Sequence, residues 1–168
     1  YTILLRMRIH DYVENLGYWK HVLHKGTHEK GDDVWEFDTW DKVTAHVPVQ
    51  NPGLWLHPAT KTLRFCLNTT INYKYLSIPE HGDMTTSVSR REIQKEKSRE
   101  EYRTPMTQIE YVDIPNIPVN RDVNIAIIVA RTNITVLKNG VNYLFTQTNG
   151  LPKINPGPII VHHKTTYN

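Results

Sequence analysis

The stretch Ile134-Thr-Val-Leu-Lys-Asn-Gly-Val-Asn-Tyr-Leu-Phe145 reads as two β-branched and aromatic runs joined by Asn139-Gly140. A two-residue type I′ turn needs positive φ at both central positions, and Asn followed by Gly tolerates this best. The stretch therefore predicts a hairpin and, with it, an antiparallel sheet. Upstream, Val123 to Ala130 and Ile109 to Ile114 read as further strands bounded by Pro, Asn or Gly. Tyr1 to His10 alternates strictly, with Ile3, Leu5, Met7 and Ile9 on one face and Leu4, Arg6 and Arg8 on the other. Trp19 to Lys25 is a short strand stopped by Gly26. Gly53 to His57 and Lys61 to Asn68 form a pair around Pro58-Ala59-Thr60. In that pair Leu63, Phe65 and Leu67 face inward, Cys66 faces the opposite way, and the side to which Trp55 points stays open. Pro158 to His163 follows the Pro/Gly-rich stretch Leu151 to Gly157. Eight or nine short strands with little helix predict an all-β fold, an antiparallel two-sheet sandwich.

The 168 residues are enough for one domain with a continuous core. One cysteine, Cys66, excludes an internal disulfide and a Cys-based zinc site. The longest strictly apolar run, Ile125 to Ala130, is far too short to span a bilayer. The chain opens at Tyr1 already reading as structure, which suggests an excised or processed piece, so the absence of a targeting signal here says little about compartment. Twenty Lys and Arg oppose 17 Asp and Glu, a net charge of +3. That total hides an acidic stretch from Glu29 to Lys42 and a dense mixed-charge run from Arg90 to Arg103.

The mixed-charge run belongs to an inserted segment at 79–107. As a helix it would set Glu92, Glu96 and Glu100 beside a basic stripe of Arg91, Lys95 and Arg99. It offers nothing to a core, so the expectation is a solvated or partner-docking excursion in which Arg91, Lys95 and Arg99 meet an acidic protein patch. Interleaved Glu disfavours nucleic acid, which wants clustered cations along a groove.

Val22-Leu-His-Lys-Gly26, Pro52-Gly-Leu-Trp-Leu-His-Pro58, Lys61-Thr-Leu-Arg-Phe65, Val112-Asp-Ile-Pro-Asn-Ile-Pro118 and Asn124-Ile-Ala-Ile-Ile-Val129 occur in that order before the hairpin. Together they resemble the laminin-G-like or pentraxin-like branch of the concanavalin A-like lectin/glucanase superfamily, closest to versions found in structural proteins of large double-stranded DNA viruses. The resemblance covers most of 1–71 and 109–163. It implies a single jelly-roll domain over 1–168, interrupted by the charged insertion. It also implies a closing strand beyond Asn168, supplied by the same chain or by a partner. Asn120-Arg-Asp-Val123 departs from the family, which often has Trp there.

For function the resemblance implies, first, a non-catalytic structural module, a minor capsid or capsid-associated protein contacting other capsid proteins in the virion. Second comes a carbohydrate-binding, lectin-like domain at the cell surface or outside the cell, with Trp35, Trp40, Asp32 and Asp33 as its ligand-binding residues. Third comes a glycoside hydrolase. Concanavalin-like glycanases carry a Glu-x-Asp-x-x-Glu run, and Glu36-Phe-Asp38-Thr-Trp-Asp41 is similar with Asp last. Glu36 would then be nucleophile, Asp38 its electrostatic helper and Asp41 the acid/base, with carboxylates about 5–5.5 Å apart for retention. On a strand Glu36 and Asp38 share a face, and Asp41 joins them only through a bulge.

No cofactor is expected. Calcium is the one ion the acidic stretch suggests, through Asp32, Asp33, Asp38 and Asp41, although the spacing matches no EF-hand. Trp35 and Trp40, set among acids in a loop, are read as exposed stacking platforms for a glycan. His162 and His163, and likewise His21 and His24, fall on opposite faces of a regular strand, so neither pair is expected to chelate. Asn68-Thr-Thr70 and Asn133-Ile-Thr135 are glycosylation sequons that matter only in a secretory setting.

Overall fold

A computed structural model of the chain describes residues 1–11, 16–27, 37–70 and 107–161. Two antiparallel sheets face each other. The smaller has the order β1 (Thr2–Arg8), β6 (Asp122–Ala130), β7 (Asn133–Lys138), β8 (Val141–Gln147). The larger runs β10 (Ile159–Val161), β2 (Lys20–Thr27), β3 (Val49–Leu56), β4 (Leu63–Thr70), β5 (Thr107–Ile114), with the short β9 (Leu151–Pro152) pairing the end of β4. The chain leaves the smaller sheet after β1, builds β2 to β5 in sequence, and returns to place β6 against β1.

The hairpin forms as expected. Lys138 pairs with Val141, and Asn139 and Gly140 take φ of 53° and 81°. Asn139 adds a clasp of its own, because its Oδ1 accepts from Asn124 N at 2.9 Å. Alternation in β1 also holds, with Ile3, Leu5 and Met7 half-buried and Leu4, Arg6 and Arg8 exposed.

Between the sheets, Leu54, Leu56, Leu63, Phe65 and Leu67 of β3 and β4 pack with Ile125, Ile127, Ile134 and Val136 of β6 and β7. Each such side chain contributes about 1.5–3 kcal/mol on burial. β4 is buried on both faces, which is unusual for an antiparallel strand. Its second face, with Arg64, Cys66 and Asn68, lies beneath a roof made by Phe37 and helix α1 (Trp40–His46).

That helix stands where the sequence reads as an acidic loop. Thr39, extended at φ −124° and ψ 154°, caps it by accepting from Lys42 N at 3.4 Å, and Asp41 sits in the first turn. Two turns are marginal alone. Val43 and Val47, both fully buried against Trp19, Trp55 and Cys66, hold the helix in place.

Candidate functional site

Among the described residues the chemistry-bearing side chains gather on the roofed face of the larger sheet. Arg64 on β4 is directly opposite Asp113 on β5, and its Nε and Nη2 donate to the two carboxylate oxygens at 2.7 Å each. Its guanidinium carbon lies 3.8 Å from the Tyr111 ring centre, 4.7 Å from Trp19 and 4.8 Å from Trp40. A planar cation suits this setting because it stacks on rings while its edge holds a carboxylate. Trp19 is fixed by a bridge to Phe37, with Trp19 N donating to Phe37 O at 2.7 Å, and meets His57 edge-on at 4.9 Å. Burial, reinforced by the nearby Arg64 charge and opposed by Asp113, pushes the His57 pKa down. The neutral ring keeps Nδ1 as an acceptor for Ala59 N at 3.1 Å and Thr60 N at 3.2 Å, closing the β3–β4 turn.

Behind this box, Gln50 organises a second set. Its Oε1 accepts from Trp55 Nε1 at 2.6 Å and from the Cys66 thiol at 3.2 Å, while Nε2 donates to Val47 O at 2.8 Å. Trp55, whose direction alternation left open, thus points to the roof. Gly53 is required there, since a Cβ would come within 2.4 Å of Gln50 Oε1 and 2.6 Å of Cys66 Sγ. Complete burial pushes the Cys66 thiol far up, so the sulfur stays protonated and packs as a small apolar group.

Asn68, 2% exposed, accepts from Gln50 N at 2.5 Å and donates through Nδ2 to Pro48 O at 3.0 Å. The first sequon is therefore closed inside the fold. Asn133 accepts from Gln147 Nε2 at 2.9 Å.

His21 and His24 depart from expectation. A register shift at Val22 lets His21 pair with Trp55 and Leu23 with Leu54, which turns His24 to the same side as His21. Their Nε2 and Nδ1 approach to 2.8 Å in the interior.

Of the Glu36, Asp38 and Asp41 set, Glu36 lies outside the described residues, and Asp38 and Asp41 flank the start of helix α1. Asp38 sits in a bend before α1 and pairs with Lys42 at 2.9 Å, which holds its carboxyl below the usual range. Asp41 is exposed on the helix, where the i,i+3 offset replaces strand geometry. Trp40, read as an exposed platform, packs among other rings. It is half-buried, 5.0 Å from Trp19 and 5.9 Å from Tyr111. Asp32, Asp33, Trp35, Glu36, Arg91, Lys95 and Arg99 lie outside the described residues, as do His162 and His163. Among the described residues no three His, Cys, Asp or Glu side chains are grouped to hold a metal ion, and no helix is long and apolar enough to cross a membrane.

The smaller sheet presents a different surface. Cross-strand rows Leu4–Ala126–Leu137 and Thr2–Ile128–Thr135–Phe145 lie side by side on its outer face. Leu4 is 80% exposed and Phe145 59%. Arg6, paired with Asp122 at 2.6 Å, and Arg8 border this apolar centre at one end, with Asn124 between the two rows of charge and carbon. Nothing in the sequence reading singled out this surface, although the exposed half of the Tyr1–His10 alternation, with Leu4 in it, was its signal.

Fold and surfaces together define an all-β, two-sheet antiparallel sandwich which, among the described residues, has one roofed and one bare outer face. No protein-family model, curated protein or solved structure matches the chain.

Proposed function

We propose that the chain is a non-catalytic interaction module of a larger protein assembly, docking through the bare face of the smaller sheet. The observation behind this is five apolar side chains, Leu4, Ala126, Ile128, Leu137 and Phe145, in two adjacent cross-strand rows broken only by Thr2 and Thr135, where a solvated sheet face would carry mostly polar side chains. An apolar centre with a polar and basic margin is the anatomy of a protein interface, and it calls for a partner surface with an apolar centre and an acidic edge. The resemblance of the ordered β-strand passages to concanavalin-like modules of large DNA viruses makes a virion the assembly of choice, with the chain as a minor capsid or capsid-associated protein.

The test is co-sedimentation of the full chain with assembled particles in a density gradient. Wild-type protein is expected in the particle fraction and the folded Leu4→Asp/Phe145→Asp variant at the top. A wild-type chain that stays at the top as a monomer, or a variant that still travels with particles, removes the proposal.

A further inference from the structure

A cleft of about 700 Å³ opens between the two sheets, on the side where β1 and β10 run, and meets the face proposed for docking at Thr2. Its floor is apolar. Ile3, Leu23 and Val129 line it, and all three belong to or pack against the inter-sheet core, so the cleft is a gap in the sandwich rather than a surface dimple. Leu151, Ile154 and Ile159 extend this apolar lining outward and are more than half exposed, Ile154 at 97%. Loop 153–157 is held over the opening by its own hydrogen bonds. Lys153 N donates to Asn68 O at 2.9 Å, Asn155 Nδ2 to Lys25 O at 2.5 Å, and the Asn51 amide to Lys153 O.

The charged lining has a single sign. Lys25, Arg131 and Lys153 all border the cleft, and among the described residues no carboxylate does. Arg131 is exposed at the β6–β7 turn and Lys25 and Lys153 are half-buried, so the cations flank the apolar floor alongside the exposed Leu151, Ile154 and Ile159. Pockets of this size and lining take small ligands in which a few polar groups fix the orientation. An apolar floor flanked by cations is complementary to a molecule with a hydrocarbon tail and an anionic head. A nucleotide or a bare anion would leave the floor unused, and a neutral hydrocarbon would leave the cations unused.

We infer that this cleft binds a single-chain anionic amphiphile, tail between the sheets and head at Lys25, Arg131 and Lys153. The head is a carboxylate or a phosphate monoester, since both match the same three cations.

Isothermal titration of the full chain with dodecanoate, dodecyl phosphate, inorganic phosphate and dodecyltrimethylammonium, each below its micellar concentration, tests this. The expected result is saturable one-to-one binding of at least one of the two anionic amphiphiles, with none for inorganic phosphate or the cationic amphiphile. Arg131→Glu, at an exposed turn position, should weaken that binding about tenfold. Ile154→Glu, at a nearly fully exposed position, should weaken it in the same direction and guards against a folding artefact at the turn. Failure of both anionic amphiphiles to bind overturns the inference. So do equal affinity for the cationic amphiphile, binding of inorganic phosphate alone with comparable strength, or indifference to both substitutions.

Discussion

On the larger sheet, Trp55 and Cys66 point away from the inter-sheet core and are covered by Phe37, Val43 and Val47. On the smaller sheet, Leu4 and Phe145 also point away from the core and stand in solvent. Both outer faces carry apolar side chains, but only one has been given a second layer from within the described chain. The covered face needed directional chemistry as well as hydrocarbon. Gln50 joins Trp55 to Cys66, Asn68 joins β4 to the Pro48–Gln50 segment, and Arg64 joins β4 to β5 beneath two indoles and a phenol. A layer recruited within the chain becomes a specified core, and a face left without one keeps its apolar area for something outside.

The largest effect should come from the roof. Trp55→Ala removes a fully buried indole and leaves Gln50 Oε1 short of a donor, so a loss of about 3–5 kcal/mol is expected in urea unfolding. A loss below about 1 kcal/mol would mean that the roof is a loose cover and the contrast between the faces is false.

Next comes the polar tie between the end of β8 and the larger sheet. The Glu110 carboxylate accepts from Thr69 Oγ1 at 2.6 Å, Gly150 N at 3.0 Å, Asn149 N at 2.7 Å and Asn149 Nδ2 at 3.1 Å. Glu110→Gln replaces one acceptor oxygen with a donor and should cost about 1–3 kcal/mol. Amide exchange at Asn149 and Gly150 should quicken before any global change, and unaltered exchange there would remove this tie from the account.

A smaller and pH-dependent effect belongs to His57. Its folded pKa is held down, so in the acid range the unfolded chain binds the proton first. The resulting stabilisation is complete above about pH 6.5, the unfolded value, and is lost as pH falls through the lower folded value. Unfolding midpoints measured from pH 7.5 to 5 should therefore fall less steeply for His57→Asn than for the wild type. Parallel curves would contradict the assignment.

The smallest effect on stability is expected on the bare face. Leu4→Asp, at a solvent position, should change unfolding by no more than about 0.5 kcal/mol. A loss comparable to that of Trp55→Ala would show that Leu4 is covered after all.

What the residues announced in advance was whatever had a short period. The Asn139-Gly140 turn, the alternation of β1 and the inward set of β4 each lie within a few neighbours and obey one rule. Helix α1 escaped because a two-turn element with one buried residue, Val43, has too little apolar period to register, although Thr39 and Asp41 are legible as cap and first-turn acid. The His21–His24 approach escaped because strand parity holds only without a bulge, and the register shift at Val22 shows only in the pairing of β2 with β3. The Arg64 box joins positions 19, 40, 64, 111 and 113, and Glu110 reaches 39 to 41 residues in either direction, separations at which no local pattern operates. The start of helix α1 lies inside the run from Glu36 to Asp41, so strand parity does not describe how Asp38 and Asp41 are placed.

Asn68 has one further consequence. The nitrogen that would carry a glycan is the one that donates to Pro48 O, inside a side chain almost wholly enclosed. Sugar attachment at this sequon and closure of β3 against β4 are mutually exclusive events competing for the same atom. In a compartment that glycosylates, the fraction of chains modified at Asn68 would record how quickly this ladder zips during synthesis, a stopwatch written into the sequence.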